Sequence, residues 1–273
     1  MTVIILKYCS LTRTWNCNNK NPRLKSFFIA TVIFIFNLIL TWQVFPITVN
    51  ASTITNNKDE IRYELHKVHN PDGIGKFYMG REIARVMGHT GAMWLERPSR
   101  EAEEQPSKIV NALDLKPNDV VADIGAGTGY LSFLIAPTLS QGRVLAVDIQ
   151  PEMLDIINFF KQEKQISNVE PILATSTSPN LPDESVDLAV MVDAYHEFEY
   201  PYEMMQGIIK ALKPGGRVAL VEYRGENPFI MIKALHKMTQ KQVKKEMQAL
   251  GLTWQATKEL LPQQHLMLFT KVN

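Results

Sequence analysis

The chain has 273 residues, enough for one large domain and an additional segment. Its 29 Lys and Arg nearly balance 28 Asp and Glu, so the net charge of +1 gives no bulk pull toward nucleic acid. Both cysteines, Cys9 and Cys17, lie in the first few turns of sequence, which leaves the rest of the chain without a disulfide or a thiolate metal site.

Residues 27–45, FFIATVIFIFNLILTWQVF, carry no charge and are mostly apolar. Lys7, Arg13, Lys20, Arg23 and Lys25 precede them without an acid. The run is close to the ~20 residues that cross a bilayer as a helix. Its basic flank predicts an N-terminus held in the cytoplasm and a remainder that is exported. Val49 and Ala51 stand at the −3 and −1 positions of a small-residue cleavage site. Residues 1–51 are therefore expected to be a signal peptide or a signal anchor, and the protein exported or membrane-associated. A cytoplasm-facing domain stays compatible with the sequence.

Residues 50–62, NASTITNNKDEIR, are small and polar and read as a linker. Helical patches follow around Ile83, Val86 and Met87, and again around Ile109, Val110 and Leu113. The expected division is a linker and helical cap over 52–104 and a main α/β domain over 105–273. From Val120 onward, apolar runs alternate with helical periodicity, the pattern of a parallel sheet with crossover helices. VVADIG and RVLAVDI are the first two strands, joined by a short helix that stops near Pro137. Pro151 opens the next helix, where its missing N–H costs little, and Met153, Ile157 and Phe160 share one face. NVEPILA, VDLAVMV and RVALVEY are the third to fifth strands. The stripe Met205, Ile208, Leu212 marks a helix that the turn KPGG terminates. A helix over 239–250, a strand with a turn in TWQATKELL and a last strand in HLMLFTK complete the pattern.

The stretch DIGAGTGY turns the chain from the first strand into a helix. Its glycines allow close approach of backbone to a ligand, and the helix N-terminus offers free N–H groups. Asp148 ends the second strand, where a carboxylate can accept both hydroxyls of a ribose. A dinucleotide fingerprint would read G-x-G-x-x-G around a pyrophosphate. Here the spacing is G-x-G-x-G, with Asp123 two residues before the first glycine. A carboxylate there repels a pyrophosphate and suits a ligand with an ammonium group. S-adenosylmethionine carries an ammonium and a sulfonium, so the stretch favours it over a nicotinamide cofactor.

With four motifs in order, VADIGAGTGY, VLAVDIQPEML, LPDESVDLAVMVDAYHEF and ALKPGGRVALVEY, the chain resembles the class I S-adenosylmethionine-dependent methyltransferases over about residues 105–225. MGREIARVMGHTGAMWLERPSREAEE and LPQQHLMLF resemble segments of a bacterial branch of that family. The resemblance implies a Rossmann-like seven-stranded sheet of order 3-2-1-4-5-7-6, its last strand antiparallel, flanked by helices. It implies that Asp123 faces the ammonium group, that Gly125, Gly127, Thr128 and Gly129 approach the methionine moiety, and that Asp148 holds the ribose. Ile149 and Met153 would flank the adenine, and Asp193 would complete the cofactor set. The family's acid in the loop after the third strand is absent: ATSTSPNLP offers only Ser176, Thr177 and Ser178.

Methyl transfer needs alignment and exclusion of water, and a proton-bearing acceptor also needs a base. Asp193, Tyr195, His196 and Glu197 crowd at the end of the fourth strand, in VDAYHEF. His196 is the candidate base, with Tyr195 and Glu197 as further candidate catalytic residues. Tyr78, Arg81, Trp94 and Arg97 are candidates to close over the pocket. Glu222, Tyr223, Arg224, His236, Lys237, Gln264 and His265 are weaker candidates, each better read as structural. The six histidines show no metal-ligand spacing, so no metal is expected. The expected partner is a small-molecule or lipid-like acceptor, such as a quinone or isoprenoid if the chain is anchored. Arsenite is disfavoured for want of thiols. The alternative is a degenerate methyltransferase fold that serves as an interaction module.

Overall fold

The computed structural model describes residues 62–271. The predicted signal or anchor segment, the cleavage site and both cysteines lie outside those residues. Among the described residues no helix is long and apolar enough to cross a membrane.

Ten strands are present among the described residues. The first three, β1 (Tyr63–Leu65), β2 (Gly73–Tyr78) and β3 (Arg81–Ala84), form a small antiparallel sheet. This corrects the expectation of a helical cap. The apolar residues around Ile83 read as a helical patch, but Gly73, Gly75 and Gly80 punctuate the segment. The positive φ of Gly80, with Met79 beside it also at positive φ, makes the tight turn between β2 and β3. Ile83 and Ala84 are then buried, while Val86 is exposed. Short helices follow at Ala92–Leu95, Arg100–Glu103 and Pro106–Ala112, the last burying Ile109 and Val110 as expected.

The main sheet has β4 (Val120–Ile124), β5 (Arg143–Asp148), β6 (Val169–Leu173), β7 (Val186–Val192), β8 (Leu212–Tyr223), β9 (Leu252–Lys258) and β10 (Gln264–Lys271). Their order across it is β6-β5-β4-β7-β8-β10-β9. Numbered within this sheet alone, that is 3-2-1-4-5-7-6. Strands β4 to β8 run parallel, and β10 is antiparallel to both neighbours. One departure concerns KPGG. The helix Pro201–Ala211 ends one residue earlier than Leu212, and KPGG becomes the start of a 12-residue β8. Positive φ at Gly215 and a register shift opposite Val186 and Leu188 let the chain reverse and join the sheet at once.

Successive residues of each strand point to opposite faces, and both faces are covered. On one face Ala122, Val147, Met191, Leu220 and Phe269 pack under the helices Pro201–Ala211 and Gln240–Ala249. On the other, Val121, Val144, Val190, Ala219 and Leu266 pack against Pro106–Ala112, Tyr130–Ile135 and Pro151–Glu163. Burial on both faces explains why the central strands read as continuous apolar runs. It also leaves the carboxyl ends of β4, β5, β7 and β8 as the place where polar side chains emerge.

The small sheet is tied to the main one by a buried charge. Arg81 Nε and Nη2 donate to Glu246 Oε1 and Oε2 at 2.9 and 3.0 Å, and Arg81 Nη1 donates to the carbonyl of His196 at 3.1 Å. The Tyr195 hydroxyl donates to Glu246 Oε2 at 2.7 Å. Glu246 has no exposed surface. Removing one partner of such a pair strands the other charge in a dry site, at about 3–5 kcal/mol. Glu246→Ala is expected to lose stability on that scale in denaturant unfolding, and the pair replacement Arg81→Met with Glu246→Leu to recover most of it. Equal losses in both proteins would show that the pair's geometry is not what matters.

Candidate functional site

The loop after β4 is held in a shape that needs glycine. Gly125, Gly127 and Gly129 all have positive φ. The N–H groups of Gly125 and Ala126 donate to the carbonyl of Val147 at 2.8 and 3.0 Å, which pins the loop to the end of β5. A Cβ on Gly125 would lie 2.6 Å from the Cβ of Ala194, so the loop also fits against the end of β7.

Asp148, at the end of β5, is buried at 6 % exposure. Its Oδ2 accepts from the N–H of Gly127 at 2.9 Å and its Oδ1 from the N–H of Gln150 at 2.9 Å. Burial raises its pKa, against the lowering effect of these N–H donors. Asp193, at positive φ after β7, accepts from Gln264 Nε2 at 2.7 Å through Oδ2, and its Oδ1 has no partner. Burial and the nearby Glu222 and Glu104 push its pKa well up.

These groups border a cavity of about 1060 Å³. Gly125, Gly127, Asp148, Ile149, Met153 and Asp193 line it, and Ser176 of the loop after β6 lines it too. Asp123, Thr128 and Gly129 are not among the lining residues. Asp123 is buried behind the loop, its Oδ2 accepting from Ser132 Oγ at 2.6 Å. Thr128 Oγ1 donates to Glu96, and Gly129 packs beside Ile157 and Phe133.

His196, Glu197 and His236 line the same cavity. All three come from 3-10 turns, Tyr195–Glu197 after β7 and Ala234–His236 after β8. His196 Nδ1 lies 2.6 Å from Glu222 Oε2, and its Nε2 lies 3.1 Å from His236 Nδ1. Burial drives the imidazole pKa down to about 3, so the ring is neutral and a weak base. Burial likewise pushes Glu222 up. Glu197 Oε2 accepts from the N–H of Met87 at 3.2 Å, which turns its other oxygen toward His236. Tyr195 does not reach the cavity: its hydroxyl points the other way, to Glu246, and it has no exposed surface.

Of the residues proposed to close over the pocket, Trp94 and Arg97 line it, with the Arg97 guanidinium 3.7 Å above the Trp94 ring. Tyr78 and Arg81 pack behind. Of the weaker candidates, Tyr223 and His236 reach the cavity, whereas Glu222, Arg224, Lys237, Gln264 and His265 do not line it. Sequence reading missed Arg100 and Glu104. Arg100 Nε donates to Glu104 Oε2 at 2.9 Å, and the Tyr223 hydroxyl donates to Glu104 Oε1 at 2.6 Å. Their i, i+4 spacing was the available signal, but nothing in it foretold burial.

A methyltransferase domain family matches residues 115–268, more than half of the chain. The chain belongs to the class I S-adenosylmethionine-dependent methyltransferases. It is similar to the uncharacterized methyltransferase YcgJ of Bacillus subtilis, 29 % identical over 123 residues that make up 45 % of this chain and 48 % of that protein. It is 26 % identical over 122 residues to the ubiquinone/menaquinone biosynthesis C-methyltransferase UbiE of Hydrogenovibrio crunogenus, 44 % of this chain and 48 % of that one. The chain thus spans about half the length of these relatives. A crystal structure of a SAM-dependent methyltransferase from Aquifex aeolicus has the same fold, with a TM-score of 0.65 at 21 % identity, over 68 % of this chain and all of that one.

The methyl donor of this methyltransferase is S-adenosylmethionine, and the residues present fit it. A glycine cradle that a Cβ would fill opens onto the cavity. A carboxylate stands at the end of β5, where open α/β sheets take a ribose. The volume exceeds the ~300–1,000 Å³ usual for one small ligand, which leaves room for a second molecule.

Asp123 offers a test of how the cradle is charged. Burial raises its pKa from 3.8 to about 6. The folded protein therefore holds this proton more tightly than the unfolded chain. The stabilisation is complete below pH 3.8 and is lost as pH rises through about 6. Asp123→Asn, free of cofactor, is expected to gain on the wild type above pH 6, by up to about 3 kcal/mol, and to match it at pH 4. Denaturant unfolding across that range checks this, and a pH-independent difference would contradict it.

Proposed function

We propose that this methyltransferase acts on a small, largely apolar molecule, whose reacting atom meets the methyl group between the glycine cradle and the His196–Glu197–His236 face. The carrying observation is a single cavity bounded by both. Its mouth is bordered by the exposed apolar side chains of Leu65, Trp94 and Met231, which suits an acceptor with hydrocarbon surface. A relative named for a quinone-biosynthesis C-methyltransferase agrees with that acceptor class.

When bound, S-adenosylmethionine supplies an electrophilic methyl group on its sulfonium. In this reading Asp148 accepts the ribose hydroxyls, Ile149 and Met153 flank the adenine, and the backbone at Gly125 and Gly127 admits the methionine moiety. Thr128 and Gly129 shape the loop from behind, and Asp123 acts on the ammonium group through the loop or a water. Asp193 faces the space between donor and acceptor. Tyr195 is a positioning residue, holding the 195–197 turn through Glu246. A neutral His196 and the carboxylate of Glu197 face the acceptor. Because His196 is a weak base, rate comes chiefly from alignment and exclusion of water. Export or membrane association through residues 1–51 is part of the proposal, and reporter fusions at residue 60 read its sidedness.

Calorimetry is expected to show binding of S-adenosylmethionine and none of NADH. Asp148→Ala removes hydrogen bonds to a charged group, worth about 1.5–3 kcal/mol, and should weaken binding about 10–100-fold. An intact fold that binds no S-adenosylmethionine would favour the alternative, an interaction module on a methyltransferase fold.

A further inference from the structure

Three side-chain atoms on the acceptor side of the cavity converge on one point. His196 Nε2, His236 Nδ1 and Glu197 Oε1 lie 3.1, 3.3 and 3.9 Å from one another. A triangle with those sides has a circumradius of about 2.0 Å, so one point lies that far from all three atoms. Zinc takes imidazole nitrogen at ~2.0–2.1 Å and carboxylate oxygen at ~2.0–2.2 Å. The three atoms therefore already stand at ligand distance from a common centre.

Two of the three ligand atoms are also aimed by a second contact. His196 Nδ1 sits on Glu222 Oε2 at 2.6 Å, the arrangement in which a carboxylate orients a ligating histidine and leaves its other nitrogen as a lone pair. Glu197 Oε2 is held by the N–H of Met87, which presents Oε1 to the centre. The turn carrying His236 is fastened to the end of β8, with the N–H of Met238 donating to the carbonyl of Tyr223 at 3.0 Å and that of Gly225 to Met238 at 2.9 Å.

We propose that His196, Glu197 and His236 bind a divalent transition-metal ion, of which Zn2+ is the natural probe, on the wall of the cavity. Two imidazoles and one carboxylate suit such an ion better than Mg2+ or Ca2+, which prefer oxygen ligands. Three protein ligands leave at least one coordination position, and it opens on the cavity because all three residues line it. An ion there would hold an oxygen-bearing acceptor and make its hydroxyl more acidic. That consequence rests on the methyl-transfer reading; the binding of the ion does not.

The spacing of these residues in sequence gave no hint of this. His196 and Glu197 are adjacent, and His236 arrives from another turn 40 residues later.

The test is titration of the purified full-length protein with ZnCl2 by calorimetry and with CoCl2 by visible absorption, each with and without S-adenosylmethionine. One ion per chain is expected. His236→Ala, at a half-buried position, and Glu197→Gln should each weaken it at least about 100-fold, and Glu222→Gln about 10–100-fold. His66→Ala and His89→Ala should leave it unchanged, and all variants should keep the wild-type circular dichroism. Absence of binding, or an affinity equal in wild type, His236→Ala and Glu197→Gln, would overturn the proposal, the latter by showing an adventitious ion only. Stoichiometric Zn2+ lost in those two variants, in a protein that binds no S-adenosylmethionine, would support the metal site and overturn the methyl-transfer reading instead.

Discussion

A carboxylate with no exposed surface, Glu246, holds the working end of this protein together. It lies on the helix Gln240–Ala249, within the apolar stripe formed by Val243, Met247 and Leu250, where a charge is costly unless paired. Arg81 pairs with it in a two-pronged contact from β3, and Tyr195 donates to it from the turn after β7. One buried acid thus ties three distant segments. The same guanidinium reaches the carbonyl of His196. The position of His196, and with it Glu197, depends on a charge pair that never touches the cavity. The three-stranded sheet is consequently part of the site's frame, although it lies outside the matched family domain.

Carboxylates gather where the strands end. Asp148, Asp193 and Glu222 stand at the ends of β5, β7 and β8; Asp148 and Glu222 are buried and Asp193 is partly buried. Parallel strands covered on both faces leave only their ends for polar groups, so acids at those ends come close together. Each is compensated differently. Asp148 has backbone N–H donors, Asp193 has Gln264, and Glu222 has the ring of His196. Asp193 and Glu222 each keep one oxygen without a partner. The cost of burying them appears as raised pKa values, and a bound ligand with hydrogen-bond donors or positive charge would relieve it.

Residues that act through the local backbone were legible before the structure. DIGAGTGY must turn sharply from strand to helix, and its glycines allow it, so loop and methyl donor could be argued from a contiguous stretch, whereas the strand order came from the resemblance of four motifs to a family. Asp148 was legible for the same reason: its place follows from ending a strand. Residues that act by meeting partners far along the chain were not. Ile83 suggested a helix because its apolar neighbours fit a 3.6-residue period, yet the glycines on either side of β2 decide for a hairpin. Tyr195 looked catalytic by adjacency to His196, but neighbouring residues in a tight turn point in opposite directions, and its hydroxyl turned to Glu246. Glu222 read as the end of a strand, and its contact with His196 depends on the pairing of β7 with β8. Glu246 interrupts an apolar stripe, and that interruption was a readable sign of a buried partner.

The two halves of the cavity therefore encode different kinds of information. On the proposed reading, the donor half is made chiefly by residues 120–157, where the glycine loop after β4 meets Asp148 at the end of β5. The acceptor half is assembled from residues near 65, 87, 94–97, 196–197 and 231–236. No one of those segments has a shape that demands particular residues. Their chemistry emerges only when the small sheet, held through Arg81, and the turn after β8 converge on the end of β7. Any family that keeps the donor half can change the acceptor by altering those segments independently. On that reading, similarity across the donor half carries the reaction type but not the substrate, and the side chains around His196, Glu197 and His236 would set the acceptor.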